Sequence, residues 1–272
     1  MAELALIGGG AMGEALIRGI LARGLYPATA LMISDPLEAR REYLASEFGV
    51  QVTDDNRACV VAPHVLLAVK PNQMAVVLDP LREHWRPGTL LTSILAGKTL
   101  ADLAGHLPAG MPIVRVMPNT PSLLGEGMAA LTANAATTPE QKARAAGLFE
   151  AVGEVAELPE GYFDIVTGLS GSGPAYIFLI IEALIEAGVY NGLPRRVARQ
   201  LVLQTVIGSS RMVKETGMHP AELKEQVTSP GGTTAAGLQV LEAAALRSIL
   251  IQAVKAATDR SAAMSGDPKP VP

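Results

Sequence analysis

Cysteine occurs once, at Cys59, so the chain can form no intrachain disulfide and no cysteine-rich metal site. That usage suits a reducing compartment, and a cytoplasmic location is expected. Aromatic residues make up only 4% of the chain, and Ala, Leu, Val and Gly stand in their place. Small aliphatic side chains suit close helix packing and a parallel sheet. Basic residues are outnumbered, 22 Lys and Arg against 26 Asp and Glu, and form no tract; this argues against nucleic-acid binding by phosphate neutralisation. The four histidines, His64, His84, His106 and His219, are scattered without metal-ligand spacing, and most read as surface or loop residues. There is no nucleophile elbow and no Walker motif. The longest strongly apolar run, Tyr176–Ile181, is far too short to span a bilayer, so no membrane association is expected. A strand-like run opens the chain with no basic n-region before it, so no signal peptide is expected. Gly266–Pro272, rich in proline and polar residues, reads as a frayed tail.

The 272 residues suit one large domain or two ordinary ones, and a mean hydropathy of +0.29 makes burying a core no difficulty. The first half alternates apolar runs with amphipathic stretches. Leu4–Gly8, Ala30–Ser34, His64–Val69 and Thr89–Leu95 read as strands; Met12–Arg23, Pro36–Phe48 and Pro71–His84 read as helices. This order implies an α/β fold with a parallel sheet and right-handed crossovers. Ile113–Val116 and Gly127–Ala133 extend the sheet, then a helix over Thr138–Val152 leads to a last strand at Glu154–Leu158. Beyond Pro159-Glu160-Gly161 everything reads as helix: Gly173–Gly188, Pro194–Thr216, Pro220–Val227 and Thr234 to about Met264. Two domains are therefore expected, 1–160 and 161–272. Tyr176, Ile177, Leu179, Ile180, Ile181 and Leu184 nearly encircle the first of these helices, which must be buried on most sides. A partner chain would do this, and a homo-oligomer is expected; the alternative is packing between the sheet domain and neighbouring helices.

Gly8-Gly9-Gly10-Ala11-Met12-Gly13 fits G-x-G-x-x-G, placed after a strand and opening a helix as a dinucleotide site requires. Gly8 makes the tight turn, Gly10 lets the backbone reach a pyrophosphate, and Gly13 lets helix and strand approach. Asp35 ends the second strand, where it can accept a ribose 2′-hydroxyl, or cap the helix that Pro36 begins; the choice between NAD and NADP stays open. Ala68-Val69-Lys70-Pro71 ends another strand on the ligand crevice, and Asn56 is either a cofactor contact or a turn residue. Met117-Pro118-Asn119-Thr120-Pro121 is stiff and extended, fixing Asn119 at the sheet edge near a nicotinamide or merely forming a rigid loop. Gly168–Pro174 is a glycine- and serine-rich helix start. Ser229-Pro230-Gly231-Gly232-Thr233-Thr234 combines a tight turn with a threonine-opened helix whose free N–H groups suit a carboxylate. No Lys or His stands on the first helix of the second domain to serve as base for an alcohol. Imine reduction is less demanding, because a protonated C=N is already electrophilic.

Taken together, Gly8–Gly13, Ala68–Pro71, Met117–Pro121, Leu169–Tyr176 and Val227–Leu238, with Leu241-Glu242, resemble the pyrroline-5-carboxylate reductases over about residues 4–264. The resemblance implies an N-terminal Rossmann-type doubly wound domain and a C-terminal all-helical dimerisation domain. It implies NADH- or NADPH-dependent reduction of 1-pyrroline-5-carboxylate to L-proline in a homodimer, with decamers in some members. The site would lie between one subunit's nucleotide domain and the partner's helical domain. Ile7, Gly8, Gly9, Gly10, Ala11, Met12, Asp35, Asn56, Ala68, Val69, Lys70 and Asn119 would then hold the cofactor. Ser229, Gly231, Gly232, Thr233 and Thr234 would hold the substrate, with Thr234 donating to the ring nitrogen as an orienting catalytic group. Asp35 stands where some members carry a small or amide residue. The other readings are a β-hydroxyacid dehydrogenase relative and a non-enzymatic nucleotide sensor.

Overall fold

The computed structural model of the chain describes residues 2–264, so the expected tail at Gly266–Pro272 lies outside the described residues. The chain clusters into two compact units, one running to Ser172 and resuming at Ala256, the other Gly173–Lys255.

The first unit is an eight-stranded sheet in the order β3-β2-β1-β4-β5-β6-β7-β8. The strands are β1 (Leu4–Ile7), β2 (Leu31–Ser34), β3 (Gln51–Thr53), β4 (His64–Leu67), β5 (Leu90–Ser93), β6 (Ile113–Met117), β7 (Gly127–Ala133) and β8 (Gly153–Glu157). The helices between them are α1 (Ala11–Ala22), α2 (Glu38–Phe48), α3 (Met74–Leu78), α4 (Leu100–Gly105) and α5 (Pro139–Glu150), followed by the short α6 (Phe163–Val166). β1 to β6 are parallel, as the alternation of strand and helix requires. β7 departs from the expected parallel sheet: it runs antiparallel to β6, with β8 parallel to it. The connection 118–126 is too short for the crossover a parallel neighbour needs.

Alternation along β1 sends Leu4 and Leu6 into one core with Leu16, Ile17, Leu148 and Phe149. Ala5 and Ile7 enter the other, with Leu78, Leu103 and Leu107. Both faces of the central strand are thus covered, as a doubly wound fold demands.

The sequence reading needs several local corrections. The helix expected over Pro71–His84 is three short pieces, because Pro80 cannot continue it: a 3₁₀ turn at Pro71–Gln73, then α3, then a 3₁₀ turn at Asp79–Leu81. α4 opens on a reciprocal Thr99–Asp102 capping box. His64 is not a surface residue: it is buried in β4 with Nε2 on the Thr92 hydroxyl, and burial drives its pKa down to about 3. Cys59 is buried too, its thiol pushed up to about 12 by desolvation, which makes it an inert core residue.

Arg115 in β6 is 5% exposed and forms a 2.9 Å ion pair with Glu160, which also accepts the Leu100 N–H; its guanidinium lies 4.6 Å from the centre of the Phe163 ring. Removing Arg115, the buried member, leaves the Glu160 carboxylate, which is a third exposed, without its ion pair. Arg115→Met should therefore lower unfolding stability by about 1–3 kcal/mol. The double change Arg115→Met, Glu160→Gln should recover part of it in a urea titration.

Helix α7 (Gly173–Tyr190), α8 (Arg195–Thr216), α9 (Pro220–Gln226) and α10 (Thr233–Ala243) form the second unit with the first part of α11 (Leu246–Met264). Helical structure in fact begins at Glu160. A π-helical turn at Thr167–Gly171, where Ser172 N–H reaches Thr167 O, joins α6 to α7. The run Glu160–Tyr190 is long and apolar enough to cross a membrane by length and composition, a length that the uninterrupted stretch Tyr176–Ile181 conceals. No residue of α7, α9 or α10 is buried, and Phe178, Leu179, Val240 and Ile251 are each more than 60% exposed. The single helix expected from Thr234 to Met264 is broken by a bend of 49° between α10 and α11. Ala245 adopts φ +56° there, a conformation that neither Gly nor Asn announced in the sequence. The Glu242–Arg247 ion pair spans the break.

Candidate functional site

Parallel strands bring their C-terminal ends to one edge, so the segments after β1, β2 and β4 become neighbours. Gly8 N–H donates to Ser34 O at 2.8 Å, and Ala68 N–H donates to Ile7 O at 2.8 Å. The structure thereby gathers Ile7–Met12, Asp35 and Ala68–Lys70 along that edge, with Asn56 accepting from the Ser34 hydroxyl.

The glycine loop leaves two of its residues no room for a side chain. Gly8 has φ +105°, and a Cβ there would stand 2.6 Å from the Ala68 carbonyl oxygen. A Cβ on Gly13 would meet Gly8 O at 2.6 Å, which is the close approach of α1 to β1. Gly10 is different: its φ is −64°, and nothing stands within 4 Å of an added Cβ. The space in front of Gly10 is open. Helix α1 begins there with no side-chain cap, so its first N–H groups face that space unpaired by the helix itself.

Asp35 is 9% exposed and both its oxygens have partners. Oδ2 accepts the Gly9 N–H at 3.0 Å and Oδ1 the Leu37 N–H at 3.0 Å. It thus supports the start of α2, whose N-cap position is Leu37, and also braces the glycine loop. Arg40 and Glu14, which sequence reading passed over, complete that brace. Arg40 Nε donates to Gly9 O and Nη2 to Glu14 at 2.6 Å, while Arg18 and Tyr43 also reach the Glu14 carboxylate. Burial raises the Glu14 pKa, but these hydrogen bonds outweigh it and hold the group below the usual carboxylate range. Two arginines early in a helix that follows an Asp-Pro turn were the available signal.

Asn119 is committed within the first unit. Its amide donates to Ser170 O and Oγ at 3.3 Å, and its oxygen accepts the Met128 N–H at 2.9 Å. It ties the β6–β7 connection to the π-helical turn at Ser170.

In the second unit, Gly231 has φ +69° and Gly232, extended, is the N-cap of α10. No side chain caps this helix, and Gly232 N–H turns back onto Ser229 O at 3.0 Å. Thr233 and Thr234 are its first two residues, the former exposed and the latter half-buried. Such an uncapped, glycine-opened N-terminus favours an anion through its N–H groups and dipole. Among the described residues, no group of three or more His, Cys, Asp or Glu could hold a metal ion.

The chain is similar to known proteins. A family model described as pyrroline-5-carboxylate reductase dimerisation matches residues 160–264, and one described as NADP oxidoreductase, coenzyme F420-dependent, matches residues 3–97. The pyrroline-5-carboxylate reductase of Synechocystis sp. is 48% identical over 261 residues, which are 95% of this chain and 97% of that one. The chain belongs to the pyrroline-5-carboxylate reductase family. A solved reductase of this family from Coxiella burnetii superposes with a TM-score of 0.91 at 37% identity, covering 97% of this chain and 98% of that one. The Plasmodium falciparum pyrroline carboxylate reductase, solved with NADP bound, gives a TM-score of 0.88 at 35% identity, covering 97% and 98%. Membership in the reductase family explains the pairing of a doubly wound nucleotide domain with a helical dimerisation region.

Proposed function

We propose that the chain reduces the C=N bond of 1-pyrroline-5-carboxylate to L-proline with NADH or NADPH. The observation that carries this is family membership over nearly the whole chain, and both local sites suit the chemistry. The open, uncapped glycine loop fits a nucleotide pyrophosphate, and the uncapped start of α10 fits a carboxylate. When bound, the reduced nicotinamide supplies the hydride that adds to the imine carbon.

Ile7, Gly8, Gly9, Gly10, Ala11, Met12, Asn56, Ala68, Val69 and Lys70 line the nucleotide, and Asp35 faces its ribose. Asn119 acts from behind, by fixing the wall of the site. The backbone at Gly232 and Thr233 receives the substrate carboxylate through the Thr233 N–H, the Gly232 N–H being held on Ser229 O, with Ser229 and Gly231 shaping the turn. The Thr234 hydroxyl orients the ring nitrogen, which takes up a proton as the hydride arrives. A hydroxyl is a weak general acid, so Thr234 aligns rather than drives that transfer.

Residues 1–160 form the nucleotide-binding domain and 161–272 the substrate and dimerisation domain. A second copy of the chain covers the exposed apolar faces of α7 and α10, which accounts for them without a membrane. The homodimer completes each site, and larger assemblies such as a decamer build on it. The enzyme works in the cytoplasm.

The test is turnover. Purified protein should oxidise NADH or NADPH only when pyrroline-5-carboxylate is added, and no turnover with either nucleotide would overturn the proposal. Run in parallel, the two nucleotides also weigh the charge of Asp35. It should disfavour the 2′-phosphate, so that Asp35→Ser raises kcat/KM for NADPH relative to NADH by about tenfold, or about 1.4 kcal/mol.

A further inference from the structure

We infer that Arg40 is a positioning residue of the nucleotide site: it sets the direction of the glycine-loop N–H groups and screens Glu14, rather than reading the 2′ end of the nucleotide. The inference rests on the nucleotide-binding reading above.

Its first support is the Gly9 residue, which is held at both ends. Its N–H is on Asp35 Oδ2 and its carbonyl on Arg40 Nε. A trans peptide is planar, with C=O and the next N–H pointing opposite ways. A Gly9 carbonyl fixed on Arg40 therefore turns the Gly10 N–H away from α2. Gly9 is buried whereas Gly10 and Ala11 are exposed, and nothing fills the space in front of Gly10. The clasp is made entirely by the chain's own groups, so it would lower the cost of ordering the loop on binding.

Electrostatics supplies the second support. Glu14 lies in the first turn of α1, where a free carboxylate would oppose a pyrophosphate bound at the helix N-terminus. Arg40 Nη2 holds Glu14 Oε2 at 2.6 Å and lies 3.4 Å from Gly10 O. The arginine thus masks the one acid of that first turn.

The third support is that these donors are already committed. Reading a 2′-phosphate with Nε or Nη2 would require Arg40 to leave the loop and uncover Glu14. The next cation, Arg41, donates to the carbonyl oxygens of Asp35 and Pro36 at 2.9 and 3.0 Å.

The experiment titrates NADH and NADPH separately into wild type, Arg40→Met, Arg40→Lys and the double variant Arg40→Met, Glu14→Gln, and follows steady-state turnover. Arg40→Met should weaken both nucleotides by the same factor, about tenfold, as befits loss of a charged hydrogen bond. At saturating nucleotide, kcat should stay within about twofold, because no interaction unique to the transition state is lost. Arg40→Lys should restore part of the affinity, and Glu14→Gln in the Arg40→Met background should recover more by removing the uncovered charge. Weakening of NADPH alone would make Arg40 a 2′-phosphate reader and overturn the inference while leaving the reductase reading intact. Unchanged affinity for both would overturn it as well. Failure of wild type to bind either nucleotide would overturn the reductase reading and this inference with it.

Discussion

Gly10→Ala should fold as well as wild type and yet bind nucleotide at least tenfold more weakly, whereas Gly8→Ala should lose both binding and stability. The two glycines stand two residues apart in one motif but answer to different constraints. At Gly8, φ is +105° and the obstructing atom is the Ala68 backbone oxygen, which cannot rotate aside as a flexible side chain would. Left-handed strain and overpacking together should cost about 2–5 kcal/mol. At Gly10 the backbone is ordinary for any residue and the added methyl meets empty space. Its only cost arises when a pyrophosphate needs that space. Thermal unfolding and nucleotide titration on the two variants separate the effects. A Gly10→Ala protein that binds normally would remove the pyrophosphate from this loop.

Thr234→Ala should lower kcat by on the order of 10²–10³, the range seen when one donor aimed at a reacting group is removed, with nucleotide affinity nearly unchanged. The substitution is benign for the fold. Thr234 is half-buried in the first turn of α10, where no side-chain cap is lost and alanine is the better helix former. Any loss of rate therefore reports on the substrate rather than on the helix. Thr234→Ser, which keeps the hydroxyl, should retain most of the activity. An unchanged rate for Thr234→Ala would place the orienting donor elsewhere.

The architecture was legible because its signals are local and periodic. Leu4–Ile7 followed by Gly8–Gly13 declares strand, turn and helix in ten residues, and the structure uses Gly8 for the tight turn and Gly13 for the close approach of helix to strand. The direction of β7 was not legible from strand propensity; it follows from the length of 118–126. The three-residue β3 carries too little pattern to announce itself, and the bend at Ala245 sits in an alanine-rich stretch with no breaking residue. At the site, the sequence marked Asp35 as a candidate but could not show that its two oxygens hold Gly9 and Leu37. The Arg40–Glu14 pair joins residues 26 positions apart on two helices, so only the folded chain brings it into view.

The split of the first unit has a consequence for how the protein is made. Thr258 and Ser261 are buried in that unit, and the Ser261 hydroxyl donates to Asp164 at 2.7 Å. The piece that closes it is thus translated after all of Gly173–Lys255. A ribosome-bound chain exposes the apolar surface of α7 and α10 while the first unit still lacks residues 256–264. Chains arrested or truncated before residue 256 would carry sticky helices and an unfinished sheet domain together, a state suited to chaperone capture or proteolysis rather than to independent folding.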